Sequence, residues 1–314
     1  MSAEKILKNP WMVAVWPGMG HVAINAGYYL MSKLGMYLEC EIDAHELFEI
    51  SVVDVDDGII HPAQLPRSRF FIWRDPKGVR DLIVFLGEAQ PPSGVYAYCR
   101  RIITHAKELG VERIFTFAAM ATRMSLDDKS RVFAAATCAE ELCECRELDL
   151  EVLKGGQISG LNGVLLGVAA ERGLTGTCLL GEMPHIFAQI PFPRASLAVL
   201  ETFTGMADIP VDFTDLEEQG EAMQQKLRGL MSQIDDALRA RQESAGEAFG
   251  PPLEAAEEPA GIEEEDKERI EDLFTAAEAD RSQAYKLKRD LDRLNVFDRY
   301  EDRFLDLFHK PGGD

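Results

Sequence analysis

Up to about residue 210, short apolar runs of strand length alternate with segments of helical periodicity. This alternation is typical of α/β proteins, in which helices pack against a central sheet. Because many strand-like runs precede the second helix, we predict a mixed sheet with an antiparallel portion, flanked by helices, and not simple βαβ winding. The first predicted strands are Met12–Trp16, Met36–Ile42, Ile50–Val55, Gly58–His61, Arg69–Trp73 and Leu82–Leu86, and the first predicted helices are His21–Leu34 and Gly94–Leu109.

The same alternation continues through the second half of this region. Thr137 is a residue type that can cap a helix, and a helical segment follows it. Gly110 and Gly173 each stand where a helix should end. The later predicted strands are Arg113–Phe117, Val132–Ala136 and Thr177–Leu180, and the later helices are Leu161–Arg172 and Arg194–Phe203.

The last third of the chain predicts a helical extension. Thr214-Asp215-Leu216-Glu217 is a capping box and predicts the start of a helix. Residues 241–261 combine Glu with Gly and Pro and indicate an acidic linker. Beyond them, Ile270–Leu294 carries an apolar stripe broken at Asp280, which predicts a coiled-coil seam packed on the preceding helix or on a second subunit. We therefore predict an α/β body at 1–240, a linker at 241–261 and a helical, coiled-coil extension at 262–314, whose final aromatic residues must be covered.

The net charge of −21 is concentrated near the linker. Residues 241–280 contain 14 acidic and three basic residues, so about half of the excess lies in an eighth of the chain. A solvated acidic segment or one that engages a basic partner would account for this. No basic face suited to phosphate contacts is visible, so we do not expect nucleic-acid binding.

Neither a membrane span nor an export signal is expected from the apolar runs. No run approaches the roughly 20 residues of a transmembrane helix, and the run after Lys8 stops at Pro17. We therefore expect a cytoplasmic protein with reduced cysteines. Cys138, Cys143 and Cys145 cluster, but their spacing does not match a zinc knuckle, so buried free thiols are favoured over a metal site.

The loop after the first strand has the form of a nucleotide-binding turn. Gly18-Met19-Gly20-His21-Val22-Ala23 matches GxGxxA, and Glu41 follows near the end of the second strand. Because several short strands interrupt the βαβ order, nicotinamide or flavin binding is disfavoured, and we predict no cofactor. A tight structural turn, or a looser anion or small-ligand site at the helix N-terminus, remains open.

Polar side chains follow several predicted strands, where open α/β sheets bind ligands. We predict that they could converge in one crevice suited to a nucleoside or sugar phosphate. Alternatively, the histidines cap helices and Arg123 pairs with Asp127 or Asp128. No nucleophile elbow or P-loop is present, and we predict no catalytic residue. The predicted ligand-binding residues are Gly18, Gly20, His21, Gln90, Arg123, Glu182 and His185.

Four dispersed signatures, taken in order, resemble the PAC2 family, named after a proteasome assembly chaperone. They are Pro17-Gly18-Met19-Gly20, Gln90-Pro91-Pro92, Gly155-Gly156-Gln157-Ile158-Ser159-Gly160 and Gly181-Glu182-Met183-Pro184-His185. The resemblance spans roughly residues 10–235 and rests mainly on glycines and prolines, so it implies a fold more than an activity. The matching positions are Gly18, Gly20, Pro91, Gly160, Glu182, Pro184 and Asp212.

The resemblance implies a fold like that of purine nucleoside phosphorylases and hydrolases, and a role in binding proteins. Eukaryotic relatives assist proteasome α-ring assembly, and archaeal and bacterial relatives resemble homo-oligomers. Some of these chaperones dock through a hydrophobic-Tyr-X tail, whereas the printed chain ends Phe308-His309-Lys310-Pro311-Gly312-Gly313-Asp314. Docking by that route is therefore not expected.

These observations favour a non-enzymatic protein-interaction or assembly-chaperone role, with the chain itself as the expected partner and another protein as a further candidate. The alternative is a small-molecule binding protein or hydrolase that uses the strand-end crevice. A third hypothesis is an oligomeric scaffold built on the 270–294 seam. A chaperone should expose an apolar surface, whereas a pocket enzyme should show a concave site with shifted carboxylate or histidine pKa values.

Overall fold

The computed structural model describes residues 6–49, 53, 55–56, 58–60, 62, 65–243 and 264–309. Ten strands are present in this part of the chain, eight of them in one sheet. The strands are β1 Trp11–Val15, β2 Tyr37–Glu41, β3 Val55–Asp56, β4 Ile59–Ile60, β5 Ser68–Trp73, β6 Leu82–Gly87, β7 Arg113–Thr122, β8 Val132–Ala136, β9 Glu151–Val152 and β10 Thr175–Pro184.

Nine α-helices lie within the described residues. The body contains α1 Val22–Lys33, α2 Val95–Glu108, α3 Ala139–Glu147, α4 Leu161–Glu171, α5 Pro193–Ala207 and α6 Thr214–Glu243. The extension contains α7 Glu264–Ala279, α8 Ala284–Arg293 and α9 Phe297–Asp306. The predicted linker lies outside the described residues from position 244 onward, and its first three residues continue α6. The division into body, linker and extension stays a prediction.

The large sheet is mixed, as predicted. Its strand order is β2-β5-β6-β1-β7-β10-β8-β9. The central strands β6, β1, β7 and β10 are parallel, whereas β2, β5 and β6 pair antiparallel at one side and β10 pairs antiparallel with β8 at the other. The predicted strand Ile50–Val55 falls mostly outside the described residues; Val55 belongs to β3, which pairs with β4 in a separate ribbon.

Helices cover both faces of the sheet, which explains why β1 and β6 are continuous apolar runs. One hydrophobic cluster joins a sheet face to α1, α5 and the extension, and the other joins the opposite face to α2 and α4. Helix α1 packs closely on β1 at Gly27, where a Cβ atom would lie 2.6 Å from Val15 Cγ2. A larger side chain there would push the helix off the sheet.

The residue predicted to cap α3 has another role. Cys138 occupies the N-cap position of α3. Thr137 Oγ1 instead accepts a hydrogen bond from the Gly176 N–H at 2.9 Å, which joins the end of β8 to β10. The prediction that Thr137 caps the helix is wrong because pairing with the neighbouring strand uses its hydroxyl.

The extension is a helical region, as predicted, but its apolar stripe is not one continuous coiled-coil helix. Helix α7 ends at Ala279, and the Asp280 carboxylate accepts the Ser282 N–H at 3.0 Å in the turn before α8. Because the chain turns there, α7 and α8 pack on each other and the stripe folds onto the body. Tyr285 of α8 packs edge-on to Tyr29 of α1, with ring centroids 4.5 Å apart, and donates a hydrogen bond to Gln219 of α6.

The body also covers the aromatic residues at the end of the extension, as predicted. Tyr28 of α1 packs edge-on to Phe297 at 5.3 Å and to Phe304 at 5.5 Å. Phe308 lies against Phe71 of the sheet, and its carbonyl accepts the Leu38 N–H of edge strand β2 at 2.6 Å. The extension therefore shields both an apolar helix face and part of a sheet edge. No helix in the described ranges is long and apolar enough to span a membrane.

Candidate functional site at the strand-end rim

The carboxyl ends of the parallel strands β6, β1, β7 and β10 lie at one edge of the sheet, which we call the strand-end rim. Six of the seven predicted ligand residues lie in the loops that follow these strands, and Glu182 lies near the end of β10. Open α/β sheets bind ligands at this edge. The rim is therefore the place to test whether the seven residues form one site.

Glu182 is the centre of the best-ordered polar cluster. Its carboxylate is buried in β10 and only 2% exposed. Arg131 donates to both carboxylate oxygens at 2.8 Å, and the Thr122 hydroxyl donates to Oε1 at 2.7 Å. These hydrogen bonds from Arg131 hold the pKa of the Glu182 carboxyl below its usual range, against the opposing effect of burial. The carboxylate therefore stays ionised and satisfied at neutral pH.

Arg131 was not among the predicted site residues. It begins the segment before β8, and its guanidinium is about half exposed. No motif distinguishes it from other surface arginines in the sequence, because its pairing with Glu182 depends on the antiparallel packing of β8 on β10. The pair fixes the antiparallel strand to the parallel centre of the sheet.

His185 and Arg123 lie beside this cluster. His185 Nδ1 is 2.9 Å from the Thr122 carbonyl oxygen, so the imidazole ties the loop after β10 to the end of β7. Arg123 is exposed and makes no ion pair with any described residue. Its predicted alternative partners are engaged elsewhere: Asp127 pairs with Arg228, and Asp128 accepts the Ser125 N–H. Arg123 and Glu182 line a cavity of about 450 Å³ together with Lys129 and Arg131.

Gln90 belongs to a second group, at the ends of β6 and β1. Its amide nitrogen donates to the Pro17 carbonyl at 3.3 Å, and its amide oxygen accepts the Leu161 N–H at 3.3 Å. The side chain therefore joins the loop after β1 to the start of α4. A Cβ atom at Gly160 would lie 2.9 Å from the Gln90 oxygen, so the glycine allows this approach.

Gly18, Gly20 and His21 form the turn between β1 and α1. The Gly20 N–H donates to Ala188 at 2.9 Å, and the Gly20 carbonyl accepts the Phe192 N–H at 2.9 Å. Gly20 has a φ of 60°, and a Cβ there would lie 2.5 Å from Met183 Sδ. The loop is thus held to the segment after β10, and the Gly20 and His21 amides are both used in hydrogen bonds within the protein.

The topology does not follow the dinucleotide-binding pattern. In that pattern the strand after the glycine helix pairs parallel with β1, whereas here β2 is an edge strand paired antiparallel with β5. The Glu41 carboxylate accepts from Arg69 Nε at 3.3 Å. The GxGxxA match is therefore a tight turn in this fold.

His21 faces the extension. Partial burial lowers the pKa of its imidazole, and the positive charge of Lys288 in α8 adds to this effect, while Asp292 and Asp298 oppose it. The structure therefore brings Arg123, Glu182 and His185 together, groups Gln90 with the β1 loop, and places His21 toward α8. Whether any of the seven binds a ligand stays a prediction.

A second cavity of about 450 Å³ lies next to the Glu182 cluster, between the loop after β10 and α6. Met124, Leu126, Pro184, Phe187 and Met231 contribute its apolar lining. Ile186 is 56% exposed there, and Leu230 and Met231 of α6 are also exposed. We call Ile186, Leu230 and Met231 the Ile186 face.

The cysteines fall into two classes. Cys99, Cys145 and Cys178 are buried, and burial raises the pKa of the Cys99 thiol to about 12 and that of Cys178 to about 11. Cys143 is exposed, and Cys40 and Cys138 are half-buried, so the expectation of buried thiols holds for only part of the set. No group of three or more metal-ligating side chains is found in the part of the chain that the structure describes.

The sequence matches the PAC2 family over residues 12–231. The chain belongs to the PAC2 family. An uncharacterised protein of Methanocaldococcus jannaschii is 28% identical over 239 residues, which cover 75% of this chain and 88% of that protein. The family match ends within α6, so the three helices of the extension lie beyond it.

Two solved structures of Pyrococcus furiosus proteins share the fold. PbaB, an archaeal proteasome activator, is 27% identical with a TM-score of 0.61, over 73% of this chain and 96% of PbaB. PbaA, an archaeal homologue of proteasome-assembly chaperone, is 26% identical with a TM-score of 0.57, over 76% of this chain and 94% of PbaA. Of these two structural relatives, one is thus a proteasome activator and the other a homologue of a proteasome-assembly chaperone.

Proposed function

We propose that this PAC2 protein is a non-enzymatic, homo-oligomeric interaction factor that binds proteasome components in the cytoplasm, as an assembly chaperone or an activator would. Its similarity to PbaB and PbaA over most of their length supports this assignment. Contact through the folded surface is the route that we propose.

The observation that carries the proposal is the exposed Ile186 face. Ile186 projects from the loop after β10, and Met231 projects from the adjoining turn of α6 beside a groove with apolar walls. Asp127 and Arg228 pair at its rim. An apolar centre with a charged rim is the usual composition of a protein-binding surface. The proposed occupant is a proteasome subunit.

The test is native mass spectrometry of the purified protein with the proteasome core particle and with its unassembled subunits. We expect a complex of fixed stoichiometry with the wild type. Ile186→Asp and Met231→Asp should weaken it at least tenfold, because a charge would be desolvated at the centre of the contact. Tyr96→Asp is the matched control, since Tyr96 is also exposed but lies on α2, across the sheet.

Absence of any complex with either proteasome form would refute the proteasome assignment. A complex that both Ile186→Asp and Met231→Asp leave intact would refute the Ile186 face as the binding surface but would still support the proteasome as the partner. The same spectra report the number of copies of the chain, so a monomer at micromolar concentration would refute the homo-oligomer.

A specific observation supports the small-ligand alternative. Arg123, Lys129 and Arg131 surround the cavity next to Glu182, and the Arg123 guanidinium has no acidic partner among the described residues. A phosphate or carboxylate group would suit that position. If native spectra show a bound small molecule, Arg123→Ala should remove it while leaving proteasome binding unchanged. If both Arg123→Ala and Glu182→Ala retain the molecule, its binding site is not the cavity next to Glu182.

A further inference from the structure

Cys40, His105 and Glu108 form a side-chain cluster on the face of the sheet opposite the extension. Cys40 belongs to β2, and His105 and Glu108 belong to the last turns of α2. None of them takes part in the strand-end rim or the Ile186 face. The cluster joins a thiol, an imidazole and a carboxylate in that order.

A β-bulge aims Cys40 at this face. The register of β2 shifts between Leu38, which pairs with Phe71, and Cys40, which pairs with Phe70. Residues two apart in a regular strand share a face, but here Leu38 packs with the cluster that includes α1, while Cys40 packs with the cluster that includes α2. The extra residue therefore turns Cys40 toward α2, as bulges commonly do beside functional groups.

The imidazole of His105 is held between the thiol and the carboxylate. Its Nε2 is 2.9 Å from Cys40 Sγ, and its Nδ1 is 3.3 Å from the nearer carboxylate oxygen of Glu108. Glu108 lies one helical turn after His105, so the helix itself fixes their spacing. The Phe70 ring packs edge-on to the imidazole with centroids 4.7 Å apart, which restricts its orientation.

A thiol beside a base that is oriented by a third group is the arrangement of an activated nucleophile. Transfer of the thiol proton to His105 leaves a thiolate next to an imidazolium, and the Glu108 carboxylate stabilises the positive ring. The thiolate is the reactive form of cysteine. Cys40 is half-buried, so part of the residue is exposed.

A cavity of about 460 Å³ lies along α2 beside the cluster. His105 and Glu108 line it, as does Ile42, two residues beyond Cys40. Three arginines also line it, and two of them are engaged: Arg101 donates to the Asp43 carbonyl at 2.8 Å, and Arg172 donates to Thr104 Oγ1 at 2.9 Å. The guanidinium of Arg100 has no hydrogen bond or ion pair with the described residues.

We propose that Cys40 is a nucleophilic thiol activated by His105, and that the cavity admits small carboxylate-bearing electrophiles, which Arg100 attracts and Cys40 attacks. In the reaction, His105 Nε2 takes the thiol proton and a sulfur–carbon bond forms. The bond between that carbon and its leaving group breaks, and the leaving group departs with the electron pair. The imidazolium then releases its proton to water.

Iodoacetate and iodoacetamide are the probes, one anionic and one neutral, and both lose iodide when they alkylate a thiol. The rate at each cysteine is followed by peptide mass mapping from pH 5 to 10. Cys143 is the internal control, because it is exposed and its contact is a carboxylate oxygen of Glu147 at 3.8 Å and not an imidazole. We expect Cys40 to react at least tenfold faster than Cys143 at pH 6.5.

Two variants test the activation, and one tests the anion preference. His105→Gln should slow the alkylation of Cys40 at pH 6.5 about tenfold. Glu108→Gln, which changes an exposed side chain, should slow it about threefold. Arg100→Gln should lower the iodoacetate rate about threefold and leave the iodoacetamide rate unchanged. If the alkylation rates of Cys40 and Cys143 depend on pH in the same way, and neither His105→Gln nor Glu108→Gln changes the rate at Cys40, Cys40 is not an activated nucleophile. If Arg100→Gln leaves the rate of Cys40 alkylation by iodoacetate unchanged, Arg100 does not attract carboxylate-bearing electrophiles to the cavity.

Discussion

Glu182 in the family-matched body is buried and Glu301 in the extension is half-buried, and the surroundings of these two carboxyl groups differ. Glu182 accepts two hydrogen bonds from one guanidinium, which lower its pKa. Burial raises the pKa of Glu301, whose hydrogen bond comes from the Tyr28 hydroxyl at 2.5 Å and whose neighbours Glu88 and Asp298 add negative charge. The surroundings of Glu182 therefore favour the ionised carboxylate more than water does, whereas those of Glu301 favour it less than water does.

This difference indicates how each region is held. Within the body, Glu182 at the rim is matched in charge by Arg131, and this pair reinforces strand pairing that the sheet already provides. Between body and extension, Arg67 and Arg69 are close to both Glu88 and Asp302, so charges of both signs crowd a contact whose main attraction is aromatic packing. We therefore expect apolar substitutions to loosen the extension most, and pH to affect the two regions in opposite directions.

The largest expected effect comes from Phe304→Ala. The Phe304 side chain is fully buried and packs against Tyr28, Phe297 and Phe308. Replacing a buried phenylalanine by alanine costs about 3–5 kcal/mol, through lost burial and the cavity left behind. Because this layer joins the extension to α1, limited proteolysis should cleave the extension of Phe304→Ala well before the body.

The control for this variant is Tyr96→Ala, an aromatic truncation at an exposed position of the body. Its free energy of unfolding should change by no more than about 0.5 kcal/mol. If Phe304→Ala is cleaved no faster than Tyr96→Ala in the extension, aromatic packing is not what holds that region.

Glu182→Ala should have the next largest effect, this time in the body. The variant removes four hydrogen bonds to the carboxylate and leaves the Thr122 hydroxyl proton without its acceptor beside a buried space. Hydrogen bonds to charged groups contribute about 1.5–3 kcal/mol each in buried sites, but half-exposed Arg131 regains water, so we expect a loss of about 1–2 kcal/mol at pH 7. Urea denaturation measures it, and the proteolysis rate of the extension should not change.

The pH dependence of this variant gives a second readout. The pKa of Glu182 is lowered in the folded protein, so its stabilising contribution is present above the pKa of the unfolded chain and is lost as pH falls through the folded value. The difference between wild type and Glu182→Ala should therefore shrink below about pH 4. A constant difference from pH 7 to pH 3 would show that the carboxylate charge contributes nothing.

The fold could be predicted from the sequence where apolar periodicity and burial coincide. The buried strands β1, β6 and β7 and the helices α1, α2 and α5 lie close to their predicted positions. The stripe of the extension predicted apolar contact but not the turn at Asp280, because a short run of heptads fits two packed helices as well as one. Thr137 was misassigned because a hydroxyl that can cap a helix can equally accept from a neighbouring strand.

The candidate site was less accessible to sequence reasoning. Strand-end positions predicted that Glu182, Arg123 and His185 lie together, since parallel strands end at one edge. Arg131 joins Glu182 through an antiparallel pairing that no local motif encodes. The Cys40 cluster depends on a bulge in β2, and a one-residue shift in strand register leaves no signature in composition. His21 was predicted at the rim, but the extension that influences it is more than 260 residues away in the chain.

The smallest expected effect is the pH response of Glu301→Gln, and it tests the contrast between Glu182 and Glu301 most directly. The pKa of Glu301 is raised in the folded protein, so its contribution is fully present below the unfolded pKa of about 4.3 and is lost as pH rises through the folded value. A glutamine can still accept from Tyr28 and has no charge to desolvate. We therefore expect Glu301→Gln to slow proteolysis of the extension at pH 8 and to match wild type at pH 4.5.

Glu271→Gln in α7 is the matched control, and its expected effect has the opposite sign. Hydrogen bonds from Arg303 lower the pKa of Glu271, so this variant should speed proteolysis of the extension at pH 8. If the two variants respond to pH in the same direction, burial does not set the behaviour of Glu301, and the contrast with Glu182 fails.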